Sequence, residues 1–472
     1  MSTAPVAREL RAPLEPLDAL ARLRRYPLSL AFISQGPITP RSRYSYVMAD
    51  PQQKAIWRVG DSAPDPFHEL AKSITIDRSR SIPGLPPFQG GWAGMVGYGY
   101  GRALEKLPRP LHDEFQTPDI VLGHYRTIVA FDRLHGQCWL IANHESVKES
   151  EAALNLMESR LLTAPSGAPN LTTLTEIAPV NLHPVPGHPH LFSHFSRTAF
   201  EEAIHRAIEY IRAGDCFQIN LAQRLCRRDT GDPFLLMASM ARANPAPFSA
   251  WLDWGTGQVI SASPERFLMV DRGTVETRPI KGTRPRSADP SIDSAIAAEL
   301  LASPKDRAEN IMIVDLLRND LGKVCAYGSV RVPRVCELES YPSVHHMVSE
   351  VVGRLTPGKT PLDLLRACFP GGSVTGAPKI RSMELITELE QTARGPYCGS
   401  MFWLGHDGNF DSSILIRTVT RTSGWLTFPV GGGIVADSTP GGEYDETMHK
   451  ASGILAGIET AIGGTTGAEH VL

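Results

Sequence analysis

Apolar residues recur along this chain with two different periods, and the two intermix without a regular order. Runs with a two-residue repeat, at 28–34, at 120–131 and in Phe217, Ile219 and Leu221, predict strands with one buried face. Phe200, Ile204, Ile208 and Ile211 recur at helical spacing. They predict a helix that begins at Thr198, with Glu201 closing a capping box, and stops at Gly214. A second predicted helix spans 305–320, and its apolar middle predicts burial; a third runs from Lys379 to about Glu390. A strand-like run from Trp425 to Val430 leads into Gly431, Gly432 and Gly433. Strands and helices in this irregular mixture predict an α+β fold with largely antiparallel sheets.

The stretch from Thr163 to Pro189 holds six prolines and many small polar residues, so 163–192 reads as a linker. It separates an N-terminal region, 1–162, from a C-terminal region, 193–462, with a flexible tail at 463–472. The glycine-rich run Gly90 to Gly101 tempts one toward a dinucleotide fingerprint. No helical pattern opens after it, and tightly packed strands explain it better.

Composition narrows the classes. Of 472 residues, 42% are hydrophobic and 21% charged, which is ordinary for a globular chain. Net charge is −3 and like charges form no long block, so a nucleic-acid footprint is absent; Arg224, Arg227 and Arg228 read as a solvated face. The seven cysteines are odd in number and lack Cys-x-x-Cys spacing. Free thiols in a reducing compartment follow, without a disulfide framework or structural zinc. The N-terminus has no apolar core segment and no run reaches membrane-spanning length, so the expectation is a soluble cytoplasmic protein.

Lys281 stands out chemically. Arg278, Arg284 and Arg286 lie within five residues of it, and nearby cations lower a lysine's pKa toward a nucleophilic amine. A strand edge with solvated cations accounts for the same run. Two helical segments carry paired acids: Asp306 with Glu309, and Glu443 with Glu446 and Lys450 on one face. Acids from separate helices can converge on Mg²⁺, whereas ordinary surface pairs and dipole complements account for each segment alone. Pro370 to Lys379 has the glycines of a phosphate loop but lacks its Lys-Ser/Thr, so NTP binding is a poor reading. That turn and Gly431 to Gly433 offer backbone donors suited to a small polyanion, or are simply tight turns.

Taken in order, the motifs resemble one family. They are Ser263-Pro264-Glu265-Arg266-Phe267, Pro279-Ile280-Lys281-Gly282-Thr283, Asp306 with Glu309, Leu317-Arg318-Asn319-Asp320, His345-His346-Met347, Gly371 to Lys379, and Gly432-Gly433-Ile434 through Glu446 and Lys450. The chain resembles the chorismate-utilising enzymes, strongly from Phe195 to Leu455, and within them the aminodeoxychorismate synthase component I group. The resemblance implies two large, mainly antiparallel sheets packed orthogonally with helices outside. Anthranilate synthases carry Ala where this chain carries Lys281. Gln218 stands where hydrating relatives carry a water-activating lysine, which speaks against hydration chemistry.

The resemblance further implies chorismate as substrate and Mg²⁺ as cofactor. Glu309 and Glu446 would ligate the metal, supported by Asp306 and Glu443. Thr375, Arg417, Gly431, Gly432, Gly433 and Lys450 would hold substrate carboxylates. Lys281 would be the nucleophile, Glu265 the acid and later base, and His346 a polarising or orienting group. None of the cysteines sits in a Gly-x-Cys-x-Gly elbow, so ammonia would come from a separate glutamine amidotransferase subunit, with 4-amino-4-deoxychorismate as product. Some relatives hold tryptophan in the N-terminal part. Ser34, Arg41, Ser42, Arg43 and Tyr44, with Pro247 and Phe248, fall at the matching places, while Phe32 to Gly36 departs from the relatives' patterns. Ordinary strand-and-turn packing fits those residues equally. Anthranilate synthase and a non-catalytic chorismate binder are the rival readings.

Overall fold

The computed structural model describes residues 5–163, 176–229, 231–341 and 344–463; residues 164–175 of the expected linker and 464–472 of the expected tail lie outside the described residues. Two large sheets carry the fold, of thirteen and ten strands, and their strands pair antiparallel. This is the expected α+β class.

The first sheet runs from Val6–Glu9 through Gln137–Ala142, Thr127–Asp132, Tyr44–Met48 and Leu30–Ile33. It continues with Phe248–Asp253, Gly257–Ser263, Thr418–Thr422, Trp425–Ile434 and Gln218–Arg228. The second runs from Ile280–Pro285 through Val344–Arg354, Thr274–Thr277, Arg266–Asp271, Phe410–Ile414 and Ser400–Gly405 to Gly91–Val96, Ile120–Tyr125 and Gln53–Trp57. Each sheet therefore draws strands from both sides of the linker: Leu30–Ile33 pairs with Phe248–Asp253, and Gly91–Val96 with Ser400–Gly405. The glycine-rich run is a strand in which backbones approach closely. A Cβ at Gly94 would lie 1.9 Å from the Val121 carbonyl oxygen, so only glycine fits. One short helical turn, Gly101–Leu104, does follow that strand, contrary to expectation.

The helix expected from Thr198 is Arg197–Arg212, and its cap is Ser196, whose Oγ accepts from Ala199 N at 3.1 Å. Glu201 does not close a box; it pairs with Arg197 at 2.9 Å. The predicted apolar stripe is correct: Phe200, Ile204 and Ile208 pack on Ile219, Leu221, Leu385 and Ile434. Full burial of such side chains contributes about 1.5–3 kcal/mol each. The helix Pro304–Gly322 buries Ile313, Val314, Leu317 and Leu321 but leaves Ile311 exposed, so only one side is covered.

Arg224 corrects the solvated-face reading. It is 5% exposed, pairs with Glu114 at 2.5 Å and lies over the Phe115 ring, because the strand Gln218–Arg228 is central and covered. All seven cysteines are buried free thiols. Among the described residues, no helix is long and apolar enough to cross a membrane.

Candidate active site

The chain passes between the sheets at two adjacent places. Ser263 ends a strand of the first sheet and Arg266 begins one of the second, leaving Glu265 at the crossing. Ile414 ends a strand of the second sheet and Thr418 begins one of the first, leaving Arg417 at the other. The crossings are stitched together: Ser263 Oγ donates to the Ile414 carbonyl at 2.6 Å, and Ile414 N to the Glu265 carbonyl at 3.1 Å. The expected acid and an expected carboxylate binder thus sit on adjacent crossings of the chain.

Glu265 is buried, and burial pushes its carboxyl above the usual range. Ser373 Oγ donates to its Oε1 at 2.8 Å and, with Lys281, pulls the other way. A carboxyl poised this way can both give and take a proton. Arg417 adopts φ +50°, a left-handed conformation that is strained for a non-glycine residue. Its guanidinium reaches Asn244 Oδ1 at only 3.4 Å, a long contact that leaves it capable of holding a carboxylate.

Lys281 lies on the strand Ile280–Pro285, where the pairing with Val344–Arg354 shifts register between Ile280 and Thr283. Gly282 supplies the left-handed turn of this bulge at φ +83°; a Cβ there would meet Leu300 at 2.8 Å and Asp306 at 3.1 Å. Bulges of this kind re-aim side chains. Lys281 is half-buried as a residue, while protein packs densely around its amine. Burial lowers its pKa, Glu309 opposes, and Lys450 lowers it further.

The neighbouring arginines are not the cause. Arg278 pairs with Glu350 and Glu339, Arg284 with Glu299 and Asp306, and Arg286 with Asp293. Each of the three cations is matched by its own carboxylates, and none of them acts on Lys281.

The acids gather as the helical spacing implied. Glu309 is raised by burial, and Asp306 and Glu446 add to that, while Lys281 and Lys305 pull it down. Glu443 is raised by burial and by Glu446, with Ser438 donating to its Oε1 at 2.6 Å. Burial works against the charge on Glu446, but Lys450 at 2.7 Å outweighs it and holds this carboxyl low. A Cβ at Gly432 would lie 3.1 Å from Glu443, 3.5 Å from Glu446 and 3.7 Å from Lys450, so the glycine leaves room for the cluster. Lys450 Nζ also donates to the Gly431 carbonyl at 2.9 Å.

Gly431 itself is pressed against the Leu221 carbonyl, and Gly433 against the Gln218 amide. Gln218 is fully buried, and both of its amide atoms lack hydrogen-bond partners. Thr375 is also fully buried, but its hydroxyl donates to Gly371 and Gly372 carbonyls at 3.0 and 3.4 Å, so it shapes the turn. His346 Nδ1 meets Thr283 Oγ1 at 2.8 Å; burial and Arg417 lower its pKa to about 4, which makes it a neutral ring at pH 7.

Ser373 and Lys305 were missed as functional groups by sequence reasoning. Ser373 sits inside a glycine turn and looks like ordinary loop chemistry. Lys305, in the first turn of Pro304–Gly322, acts on Glu309, Glu443 and Glu446 through space alone.

A separate cavity of about 510 Å³ is lined by Ser34, Arg41, Arg43, Tyr44, Pro247 and Phe248, with Arg266 and Asp411. Ser42 is not in its wall: its Oγ donates to the Pro37 carbonyl at 2.5 Å, inside the loop. Arg41 is engaged by Glu339 and Tyr341, and Arg43 by Asp132.

The chorismate binding enzyme family matches residues 32–456, and the chain belongs to it: this is an enzyme of the chorismate-utilising family. It is 44% identical to aminodeoxychorismate synthase component 1 of Klebsiella aerogenes, covering 79% of this chain and 78% of the relative. It is 41% identical to anthranilate synthase component 1 of Thermus thermophilus, covering 85% and 84%. Anthranilate synthase component I from Streptococcus pneumoniae TIGR4 has the same fold, with a TM-score of 0.76 and 33% identity over 89% of this chain and 93% of that one.

Proposed function

We propose that the chain aminates chorismate at C4, giving 4-amino-4-deoxychorismate, with ammonia delivered by a separate glutamine amidotransferase subunit. The observation that carries this reading is Lys281, a bulge-aimed lysine whose burial favours the uncharged amine beside the buried acid Glu265. The relatives named component 1 support the need for a partner.

Lys281 Nζ forms a bond to ring C2 while the C4–O bond breaks, and Glu265 gives its proton to the departing hydroxide, releasing water. Ammonia then forms the C4–N bond as the C2–Nζ bond breaks. Glu265 takes a proton from the incoming nitrogen, and Lys281 is restored. One hard substitution becomes two easier ones. Arg417, Lys450 and the backbone of Gly431 to Gly433 hold the substrate's carboxylates, and neutral His346 orients the ring.

The acid cluster fits Mg²⁺. Glu309, Glu443 and Glu446 raise or crowd one another electrostatically, which a hard cation relieves. Among the described residues, no group of three His, Cys, Asp or Glu side chains is placed to hold a metal ion by itself. Mg²⁺ needs only one or two carboxylates, keeping water and substrate oxygens for the rest. Glu309 and Glu446 would hold it, with Asp306 and Glu443 beside them, and it would neutralise part of the substrate dianion's charge. Tryptophan in the separate cavity belongs to the same proposal, supported by the aromatic walls Tyr44 and Phe248.

Anthranilate formation is the second reading, favoured by the 41% identical relative of that name. Chromatography of chorismate, Mg²⁺ and ammonium salt with the enzyme decides between them. Aminodeoxychorismate is expected, and anthranilate or isochorismate would overturn the reading. Intact-protein mass spectrometry without ammonia is expected to show a chorismate adduct on the wild type and none on Lys281→Ala.

A further inference from the structure

Behind the substrate-facing backbone lies an ion pair withdrawn from water. The side chains of Glu390, at the end of the helix Lys379–Glu390, and Arg394, just beyond it, are 4% and 2% exposed. They meet in a fork, Nε to Oε2 at 2.9 Å and Nη2 to Oε1 at 2.5 Å. The guanidinium lies over the Tyr98 and Tyr397 rings at 4.7 and 5.6 Å. Its remaining donors go to backbone: Nη1 to the Val374 carbonyl at 3.0 Å and Nη2 to the Asn220 carbonyl at 2.5 Å. Glu390 Oε1 in turn accepts from Ala222 N at 2.9 Å.

These backbone partners are not arbitrary. Val374 adjoins Thr375, whose carbonyl accepts from Asn220 N at 2.8 Å. Asn220 and Ala222 lie on the strand that pairs with Gly433 and Gly431. The pair therefore ties the Pro370–Thr375 turn to one edge of the strand Gln218–Arg228, whose other edge carries Gly431 to Gly433. Polar atoms left without partners mark the same strand: Gln218 Nε2 and Oε1, and Asn220 Nδ2, all buried. Unpaired buried polar atoms are costly unless a ligand or water completes them. A buried ion pair is itself weak evidence for stability, so its retention calls for another reason.

We propose that Glu390 and Arg394 are a positioning pair for chorismate. They hold the Thr375 turn against the strand Gln218–Arg228, and through that strand set its distance from Gly431 to Gly433, without touching substrate themselves. The inference rests on the reading of those two segments as carboxylate holders, and it deepens that reading by naming what sets their spacing. A planar fork that bonds a carboxylate and two carbonyls at once is specific to arginine; a lysine ammonium keeps the charge but not the geometry.

The test uses the full-length enzyme with Mg²⁺ and ammonium salt. Turnover is followed as loss of chorismate, so the outcome does not depend on which product forms, and calorimetry gives the chorismate Kd directly. Arg394→Lys is expected to raise KM and Kd about tenfold while kcat stays within about threefold. Glu390→Gln, which keeps the shape and one acceptor, is expected to fall between Arg394→Lys and wild type. If Arg394→Lys does not fold, a rise of about threefold in KM for Glu390→Gln carries the same meaning. A lowered Tm with KM and Kd unchanged makes the pair merely structural and overturns the proposal, as does a fall confined to kcat. Wild type that binds chorismate but turns none over sinks the proposed reaction, and the pair is then judged on Kd alone.

Discussion

Ser373→Ala isolates the ionisation of Glu265 in a way that needs no knowledge of the product. The Ser373 hydroxyl donates to Glu265 Oε1 at 2.8 Å within a buried seam. Burial holds this carboxyl above its ordinary value of 4.5, and Ser373 and Lys281 moderate the rise. A hydrogen bond to a charged group contributes about 1.5–3 kcal/mol. Its loss therefore raises the Glu265 pKa further. The sign follows from linkage. A carboxyl whose folded pKa is raised costs nothing below its unfolded value, and its ionisation disfavours the fold as pH rises through the folded value. The variant deepens that penalty above the folded pKa by ~1.5–3 kcal/mol and, near about pH 4.5, loses only a neutral bond of ~0.5–1.5 kcal/mol. Urea unfolding of both proteins, at about pH 8 and about pH 4.5, is expected to show a gap that widens by ~1–2 kcal/mol at the higher pH. Groups common to both proteins cancel in the comparison. A gap that is equal at the two pH values, or narrower at the higher one, refutes the account of Glu265.

Glycine substitutions separate packing from site shape. Gly431→Ala would put a Cβ 2.5 Å from the Leu221 carbonyl oxygen, a backbone atom that cannot step aside, and is expected to cost about 1–3 kcal/mol in thermal or urea unfolding. Gly432→Ala meets only the movable ends of Glu443, Glu446 and Lys450, so it is expected to keep near-wild-type stability and lose chorismate affinity; the reverse ranking would refute the geometry. The buried histidines forecast acid lability. His124 and His346 are lowered to about 4, His194 to about 3 and His406 to about 2, in each case chiefly by burial. A depressed folded pKa gives stability that is whole above the ordinary 6.5 and is lost as pH falls, about 2 kcal/mol per group at about pH 5. Tm is expected to drop between about pH 7 and 5, and less so in His406→Gln, which removes the 2.8 Å contact with His124; a flat profile would refute it.

Lys281 shows how far reading along the chain reaches. Its motif marked the residue, but the three arginines beside it suggested the wrong cause for its lowered pKa. In the fold those cations are taken up by Glu350, Glu339, Glu299, Asp306 and Asp293, and the tertiary burial of the amine does what they do not. The reading of Arg224 erred in the same direction: of the three arginines, Arg228 is exposed and Arg227 partly so, but Arg224 is buried because the strand carrying it is central. The apolar stripe of Arg197–Arg212 was legible while its cap was not, because Ser196 and Thr198 are chemically near-equivalent and differ only in where the chain turns.

By itself the sequence determined the periodic segments, the glycines that must lack side chains, the acids spaced along two helices and the ordered motifs that define the family. Those are properties of neighbours, set by the geometry of strand and helix. Only the tertiary structure decided that two adjacent crossings between sheets would carry Glu265 and Arg417, that strands from either end of the chain would share a sheet, that Ser373 and Lys305 would act on the buried acids, and that Glu390 and Arg394 would pair behind the Thr375 turn. The reason is physical. Burial, and with it the electrostatic environment of a charge, belongs to the closed fold and to groups far apart along the chain, and no stretch of residues carries it alone.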